Sequence, residues 1–390
     1  MKIALVTLAA GEEFARMAAL VNPAKRRYCS RFDYDFIQFD GQLDTSRPPA
    51  WSKIPVIRKV LPNYDWLFWC DTDAVLWNPD AGLRQFIGAA GPVDAIFQAN
   101  QDGANSGLFF LRNSPWSFAF LDEIYRQEQF IHHPWWENAA IIDLLARDDV
   151  RSHVQLYPPR GPLGGFHGFR PGDDWDKVFI HHAGLRGEAR MLLIENLVRL
   201  AELPVRRRML TRGELGQLLN RMDLLGEGVE IGVASGEFSR SVLDIWEGRR
   251  LHLVDAWKHR PDYIDVANVS GEEHDERLRS VPQRLAAHRG RYAIHRALSR
   301  DAAERFARGS LDFAYIDADH SYEAVREDLR LWYPKVRSGG LLAGHDFLDG
   351  DLPQGKFGVR RAILDFEREL GVRAAVTTEL DWPTWYFVKP

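Results

Sequence analysis

Cysteine is almost missing from this chain: 390 residues hold only Cys29 and Cys70. Two cysteines without paired spacing exclude a disulfide framework and a cysteine-built zinc site, and they fit a reducing, cytoplasmic setting. No apolar run is long enough to span a bilayer, so any membrane contact is expected to be peripheral. The first residues, Met1 to Gly11, carry a single positive charge and run into Glu12-Glu13 without a cleavage site, so they read as a buried strand rather than a signal peptide. A basic excess is lacking too. The formal net charge is -5, which argues against a nucleic-acid partner, and Arg206–Arg208 reads as a solvated connector. Internal repeats and low-complexity tracts are also lacking. What remains is a chain that is 45% hydrophobic, enough for full cores, and long enough for two ordinary domains.

The stretch Asp65–Asn78 organises the first half. Its apolar run Trp66–Cys70 fits a buried strand, and the strand ends in two carboxylates one residue apart, Asp71 and Asp73. In an open sheet, ligands bind at the carboxyl ends of strands. Two carboxylates there can hold a hard cation and leave positions for phosphate oxygens, although Asp-rich turns are also common without one. Around this stretch, strand signals (Ile3–Leu8, Tyr34–Phe39, Ala95–Gln98, Gly107–Leu111, Val178–His181) alternate with helical ones (Glu12–Leu20, Ile54–Leu61, Ser117–Gln127, Glu137–Ala146). Such alternation predicts a mainly parallel sheet covered on both faces.

Five pieces then occur in one order: Trp51-Ser52-Lys53, Trp69-Cys70-Asp71-Thr72-Asp73-Ala74, Asn105-Ser106-Gly107-Leu108-Phe109, Trp136-Glu137-Asn138-Ala139 and His181-His182-Ala183-Gly184. The first 185 or so residues thereby resemble the galactosyl, xylosyl and α-mannosyl transferases of glycosyltransferase family thirty-four, with the GT-A fold. The resemblance implies a nucleotide-sugar donor, a glycan or glycolipid-linked acceptor, Mn²⁺ or Mg²⁺, and retention at the anomeric carbon. It implies Asp73 as the direct metal ligand, Asp71 facing ribose or metal, and His181 completing the metal shell. Lys53 would meet the donor phosphates, and Asn105-Ser106-Gly107 would lie near the donor sugar; the same triplet also reads as a turn before a strand. Glu137-Asn138 stands where the family shows Asp-Gln. It keeps the carboxylate and the amide with changed reach, to hold the acceptor or steady developing positive charge.

A helical pattern over Arg186–Glu202 precedes Pro204, and Thr211 stands three residues before Glu214 as in a capping box. The boundary is therefore expected between about Ala201 and Leu210, giving domains 1–203 and 204–390.

In the second half, Val229–Gly236 reads as a strand, a small-residue turn and a helix start, and Leu251–Asp255 as a second strand ending in a carboxylate. Gly232 and Gly236 let backbone approach a ligand closely, and Asp255 suits ribose hydroxyls. Ala234 replaces the middle glycine of a dinucleotide fingerprint, which favours an adenosyl ligand without pyrophosphate. With Leu311–Tyr322 and Ser338–Phe347, this half resembles class I S-adenosylmethionine-dependent methyltransferases, in the methyltransferase family 24 group with its sugar O-methyltransferases. That implies a Rossmann-like fold and S-adenosyl-L-methionine, with Glu230 and Gly232 in the first motif and Asp255 as the ribose acid. By similarity to catechol-type enzymes, Asp317 and Asp346 match possible Mg²⁺ ligands or members of a metal-free site, and His320 is the expected base. Asp349-Gly350-Asp351 reads as a flexible acidic loop. The whole is read as an α/β, two-domain, bifunctional glycosyltransferase and O-methyltransferase. The alternative is an O-methyltransferase with a carbohydrate-binding first domain.

Overall fold

Period-two burial shapes the first sheet. In the strand Ile3–Ala9 (β1), Ala4 and Val6 enter one core while Ile3 and Leu5 enter another on the opposite face. The computed structural model describes residues 1–159, 161, 163–164, 177–181, 184–261 and 263–390. The chain divides into two compact units, Met1–Ala201 and Glu202–Pro390.

In the first unit β1 is followed by β2 (Asp35–Asp40), β3 (Trp66–Cys70), β4 (Ala74–Leu76), β5 (Ala95–Ala99), β6 (Ala104–Arg112), β7 (Val154–Tyr157) and β8 (Phe179–His181). Six of them form one sheet in the order β2-β1-β3-β6-β5-β7; β4 and β8 pair antiparallel outside it. The sheet is mainly parallel, as expected, with β6 alone running antiparallel to both β3 and β5. Strand order reverses between β1 and β3, so the end of β3, at Asp71, opens at a topological switch point. Asn105-Ser106-Gly107 lies inside β6, not in a turn before it. The first helix runs over Glu12–Phe32, well past the expected Leu20 and through Pro23, and ends on Asp33 in the left-handed conformation.

The second unit carries β9 (Glu227–Ile231), β10 (Arg250–Asp255), β11 (Tyr292–Arg296), β12 (Leu311–Ile316), β13 (Val336–Gly344), β14 (Asp349–Leu352), β15 (Gly355–Gly358), β16 (Ala375–Val376) and β17 (Trp385–Val388). Its seven-stranded sheet has the order β11-β10-β9-β12-β13-β17-β16, parallel except at β17. This is a doubly wound, Rossmann-like sheet with its switch point between β9 and β12. Two local expectations give way. Thr211 makes no side-chain cap, since Glu214 Oε2 instead accepts from the Leu210 N–H at 3.1 Å. Asp349-Gly350-Asp351 is not a loop but β14, zipped antiparallel to β15 in a hairpin. Among the described residues, no helix is long and apolar enough to cross a membrane.

Candidate functional site

The turn after β3 is built from below. The Asp71 N–H donates to the Gly107 carbonyl at 2.8 Å, and the fully buried Lys25 donates to the Asp71 and Thr72 carbonyls at 3.0 and 3.5 Å. Thr72 Oγ1 donates to the Leu8 carbonyl at 2.6 Å, which ties the turn to β1. Asp71 Oδ1 accepts from Trp69 Nε1 at 2.6 Å, and the carboxylate stays partly open to solvent. His181, brought beside Ala74 by the β4–β8 pairing, places Nε2 3.3 Å from Asp73 Oδ1 and 3.8 Å from Asp71 Oδ2. One ligand atom from each of the three lies within 4.8 Å of the others. Two carboxylates and an imidazole are a donor set that suits Mn²⁺ or Mg²⁺. Burial opposes charge on both Asp73 and His181, but their mutual attraction prevails: Asp73 is held below the usual carboxylate range and His181 above the usual imidazole range. Gly107 is required here, since a Cβ on it would lie 2.2 Å from His181 Cε1. His182 lies outside the described residues.

Asn105 and Ser106 do reach this centre. Asn105 Nδ2 is 3.3 Å from His181 Nδ1, and its Oδ1 accepts from the Gly107 N–H at 2.7 Å. The Ser106 N–H donates to Asn138 Oδ1 at 2.8 Å. Lys53, expected at the donor phosphates, sits among groups of its own chain. It is buried, with Nζ 2.7 Å from Glu137 Oε1, 3.3 Å from Asp71 Oδ1 and 2.9 Å from the Ser106 carbonyl. Burial lowers its pKa, yet the two carboxylates outweigh this and raise it, so Lys53 is a charge held by its own protein. Glu137 is its buried counter-ion, with Oε2 left without a partner. Arg190, which carried no motif, sets Nη1 3.5 Å from Asp73 Oδ2.

In the second unit, the bend after β9 opens on a cavity of about 850 Å³, lined in part by Glu230, Gly232, Asp255, Asp317 and His320. Gly232 has φ +90°, and a Cβ there would fall 1.9 Å from the Asp317 carbonyl oxygen, so its smallness serves the approach of two strand ends. Gly236, also left-handed, stands just before the helix Glu237–Leu243. Asp255 Oδ2 accepts from the Val233 and Ala234 N–H groups, each at 2.9 Å, so the expected ribose acid also holds the bend in shape. Glu230 is buried, accepts from Ser239 Oγ, and is pushed up to about 8 by burial.

Beside this cavity, His320 Nε2 lies 3.1 Å from Asp346 Oδ2 and 3.4 Å from Asp317 Oδ1, and its Nδ1 lies 3.2 Å from Asp265 Oδ2. Asp317, His320 and Asp346 form a second cluster whose ligand atoms lie within 4.8 Å of one another. Arg212 already meets Asp317 at 2.6 Å, and His345 Nδ1 meets Asp346 at 2.7 Å. Burial lowers the His320 pKa, but the surrounding carboxylates raise it to about 10. The expected base is therefore an imidazolium in this arrangement, with both ring N–H groups facing carboxylates. Sequence reading passed over Asp265 and Arg212. No motif flagged either, and only the fold sets them against His320 and Asp317.

This geometry defines the class on each side, glycosyltransferase-like in the N-terminal region and methyltransferase-like in the C-terminal region. The galactosyl transferase GMA12/MNN10 family model matches residues 3–90, and a methyltransferase-domain model matches residues 229–347. In particular, the chain is 30% identical over 105 residues to galactomannan galactosyltransferase 1 of Cyamopsis tetragonoloba, covering 24% of each chain. It is 24% identical over 210 residues to an uncharacterized alpha-1,2-galactosyltransferase of Schizosaccharomyces pombe, covering 41% of this chain and 54% of that one. The chain thus spans about a quarter of the length of the curated relatives it matches first. A solved O-methyltransferase from Bacillus cereus, in complex with SAH, is 19% identical with a TM-score of 0.34, covering 53% of this chain and 92% of that one.

Proposed function

We propose that the chain is a bifunctional transferase. The first unit transfers a hexose or pentose from a nucleotide sugar to a glycan or glycolipid-linked acceptor, with retention. The second methylates a sugar hydroxyl. The observation that carries the reading is that each family match falls on a unit whose strand ends gather one convergent acidic cluster. In the first unit Asp71, Asp73 and His181 would hold Mn²⁺ or Mg²⁺, which when bound supplies charge neutralisation for a diphosphate leaving group. Lys53 fixes Glu137 and Asp71 relative to each other, and Asn105 and Ser106 set the imidazole and Asn138 at the floor of the site.

In the second unit, the bend Gly232–Gly236 and Asp255 line a cavity in the size range of small-ligand sites. S-adenosyl-L-methionine bound there supplies the methyl group. His320 faces the space beside it, held by Asp265. It accepts the proton of an acceptor hydroxyl only from its neutral form; as an imidazolium it holds Asp317 and Asp346 together. Those two carboxylates would also suit Mg²⁺.

The test uses the whole protein with labelled nucleotide sugar and labelled S-adenosylmethionine. Asp73→Ala is expected to abolish sugar transfer and leave S-adenosylhomocysteine binding intact. Sugar transfer that survives Asp73→Ala, or glycan binding without any transfer in the wild type, would defeat the reading and favour a binding module. Methyl label entering acceptor equally with and without donor sugar would break the coupling of the two steps.

A further inference from the structure

We propose that Trp135 and Trp136 form the platform on which the first unit receives its acceptor, presenting indole faces to a neutral hexopyranose of a glycan. The inference deepens the acceptor reading above and rests on it. Of the tryptophans described, only these two are exposed, at 47% and 37%; the others are buried or half-buried. They directly precede Glu137, which turns inward to Lys53 at 2.7 Å, and Asn138, whose Oδ1 accepts from the Ser106 N–H at 2.8 Å. Two residues span at most about 7 Å of chain, so the indoles are rooted beside the first site. The turn that carries them is ordered by its own chain. Trp136 has φ +45°, a left-handed conformation that bulky residues rarely adopt, and its N–H donates to the His133 carbonyl at 2.9 Å. The Trp135 N–H donates to His133 Nδ1 at 3.1 Å, and the His133 ring stands edge-on to both Phe130 and Trp135, with centroids 5.7 Å apart in each pair.

A large aromatic face left in water on an ordered turn suits the C–H face of a pyranose, and little freedom is lost when it binds. A sugar also needs a polar partner for its hydroxyls. Asn138 is half-exposed and commits its Oδ1 to Ser106, while its Nδ2 has no acceptor among the described residues. Charge argues against the other apolar partner, an anionic lipid surface. From Gln127 to Ala146 the sequence has no lysine or arginine, and it carries Glu128, Glu137 and Asp143. Trp135 and Trp136 thus act as acceptor-binding residues, with the Asn138 amide as their polar neighbour.

Calorimetry on the full chain with Mn²⁺ and uridine or guanosine diphosphate tests this, using neutral tetrasaccharides of mannose, glucose and galactose as probes. The wild type should bind at least one of them, and that binding should quench tryptophan fluorescence. Trp135→Ala should weaken the bound glycan about 10-fold or more and Trp135→Phe by less than about threefold, with diphosphate affinity unchanged in both. Trp136→Gly, which suits the left-handed backbone, should weaken the glycan by a similar factor. Unchanged glycan affinity in Trp135→Ala, wild-type binding of none of the three glycans, or binding to phosphatidylglycerol vesicles in their place would overturn the platform. Equal loss of glycan and diphosphate affinity would overturn it too, since the indole would then only support the fold. A wild type that binds a glycan through Trp135 but neither diphosphate would instead overturn the donor-site reading.

Discussion

Replacing Lys53 by Met isolates a buried ion pair in the first site. The amino group sits 2.7 Å from Glu137 Oε1 and 3.3 Å from Asp71 Oδ1, in surroundings that leave Lys53 4% and Glu137 3% exposed. Without it, Glu137 keeps, among the described residues, only the Ser106 hydroxyl at 3.0 Å, and its Oε2 already lacks a partner there. Breaking a buried pair from one side costs about 3–5 kcal/mol, because the surviving charge has no compensation. For a unit of this size each kcal/mol moves the melting temperature by roughly 2–4 °C, so a shift of about 6–20 °C is expected. Scanning calorimetry of the full chain should show one transition moving while the second unit's stays in place. Replacing both partners, Lys53→Met with Glu137→Leu, should restore most of the loss, since two apolar side chains leave no orphan charge. A shift of less than about 2 °C in the single variant, or a double variant as unstable as the single, would refute this account of the pair.

Three further outcomes are expected. Gly107→Ala forces a Cβ to within 2.2 Å of the His181 ring. It should weaken Mn²⁺ binding by about 10- to 100-fold at a stability cost of about 1–3 kcal/mol, read by calorimetry and thermal melting. Glu230 has a folded pKa near 8, above its ordinary value of 4.5, so it favours folding fully below 4.5 and less as pH rises through 8. Urea titrations should therefore show stability falling across that window, by up to about 5 kcal/mol from this group, with Glu230→Gln flattening the slope; Asp328, raised to about 7 by burial, adds a comparable fall of the same sign that the variant retains. Gly232→Ala, strained by φ +90° and blocked by the Asp317 carbonyl, should abolish S-adenosylhomocysteine binding as measured by calorimetry while leaving Mn²⁺ binding at the first site unchanged.

Apolar runs made the strands easy to read. Trp66–Cys70 is fully buried on both faces, so its strand assignment needed no partner. Sites that depend on one or two residues at a strand end were legible for the same reason: Asp71, Asp73, Asp317 and Asp346 follow such runs directly. What stayed hidden depends on pairings distant in sequence. The direction of β6 is set by its neighbours, and its first residues, Ala104 and Asn105, look like a turn until β5 pairs with them. Lys53 could be matched to the donor phosphates from its motif, but its burial against Glu137, 84 positions away, is not written in the local sequence. The hairpin at Asp349–Gly358 has too little apolar pattern to announce itself, because its first strand is exposed throughout. Asp265 and Arg190 sit in stretches without a motif, so nothing short of the tertiary fold distinguishes them from ordinary surface charges.

One helix touches the first centre twice. Glu13, in its opening turn, clasps the Arg190 guanidinium, and Lys25, three turns further on, grips the carbonyls of Asp71 and Thr72. Pro23 lies between them and cannot donate the backbone bond that a continuous rod would use there. The helix nevertheless runs unbroken from Glu12 to Phe32, so both grips on the acidic centre belong to one rod.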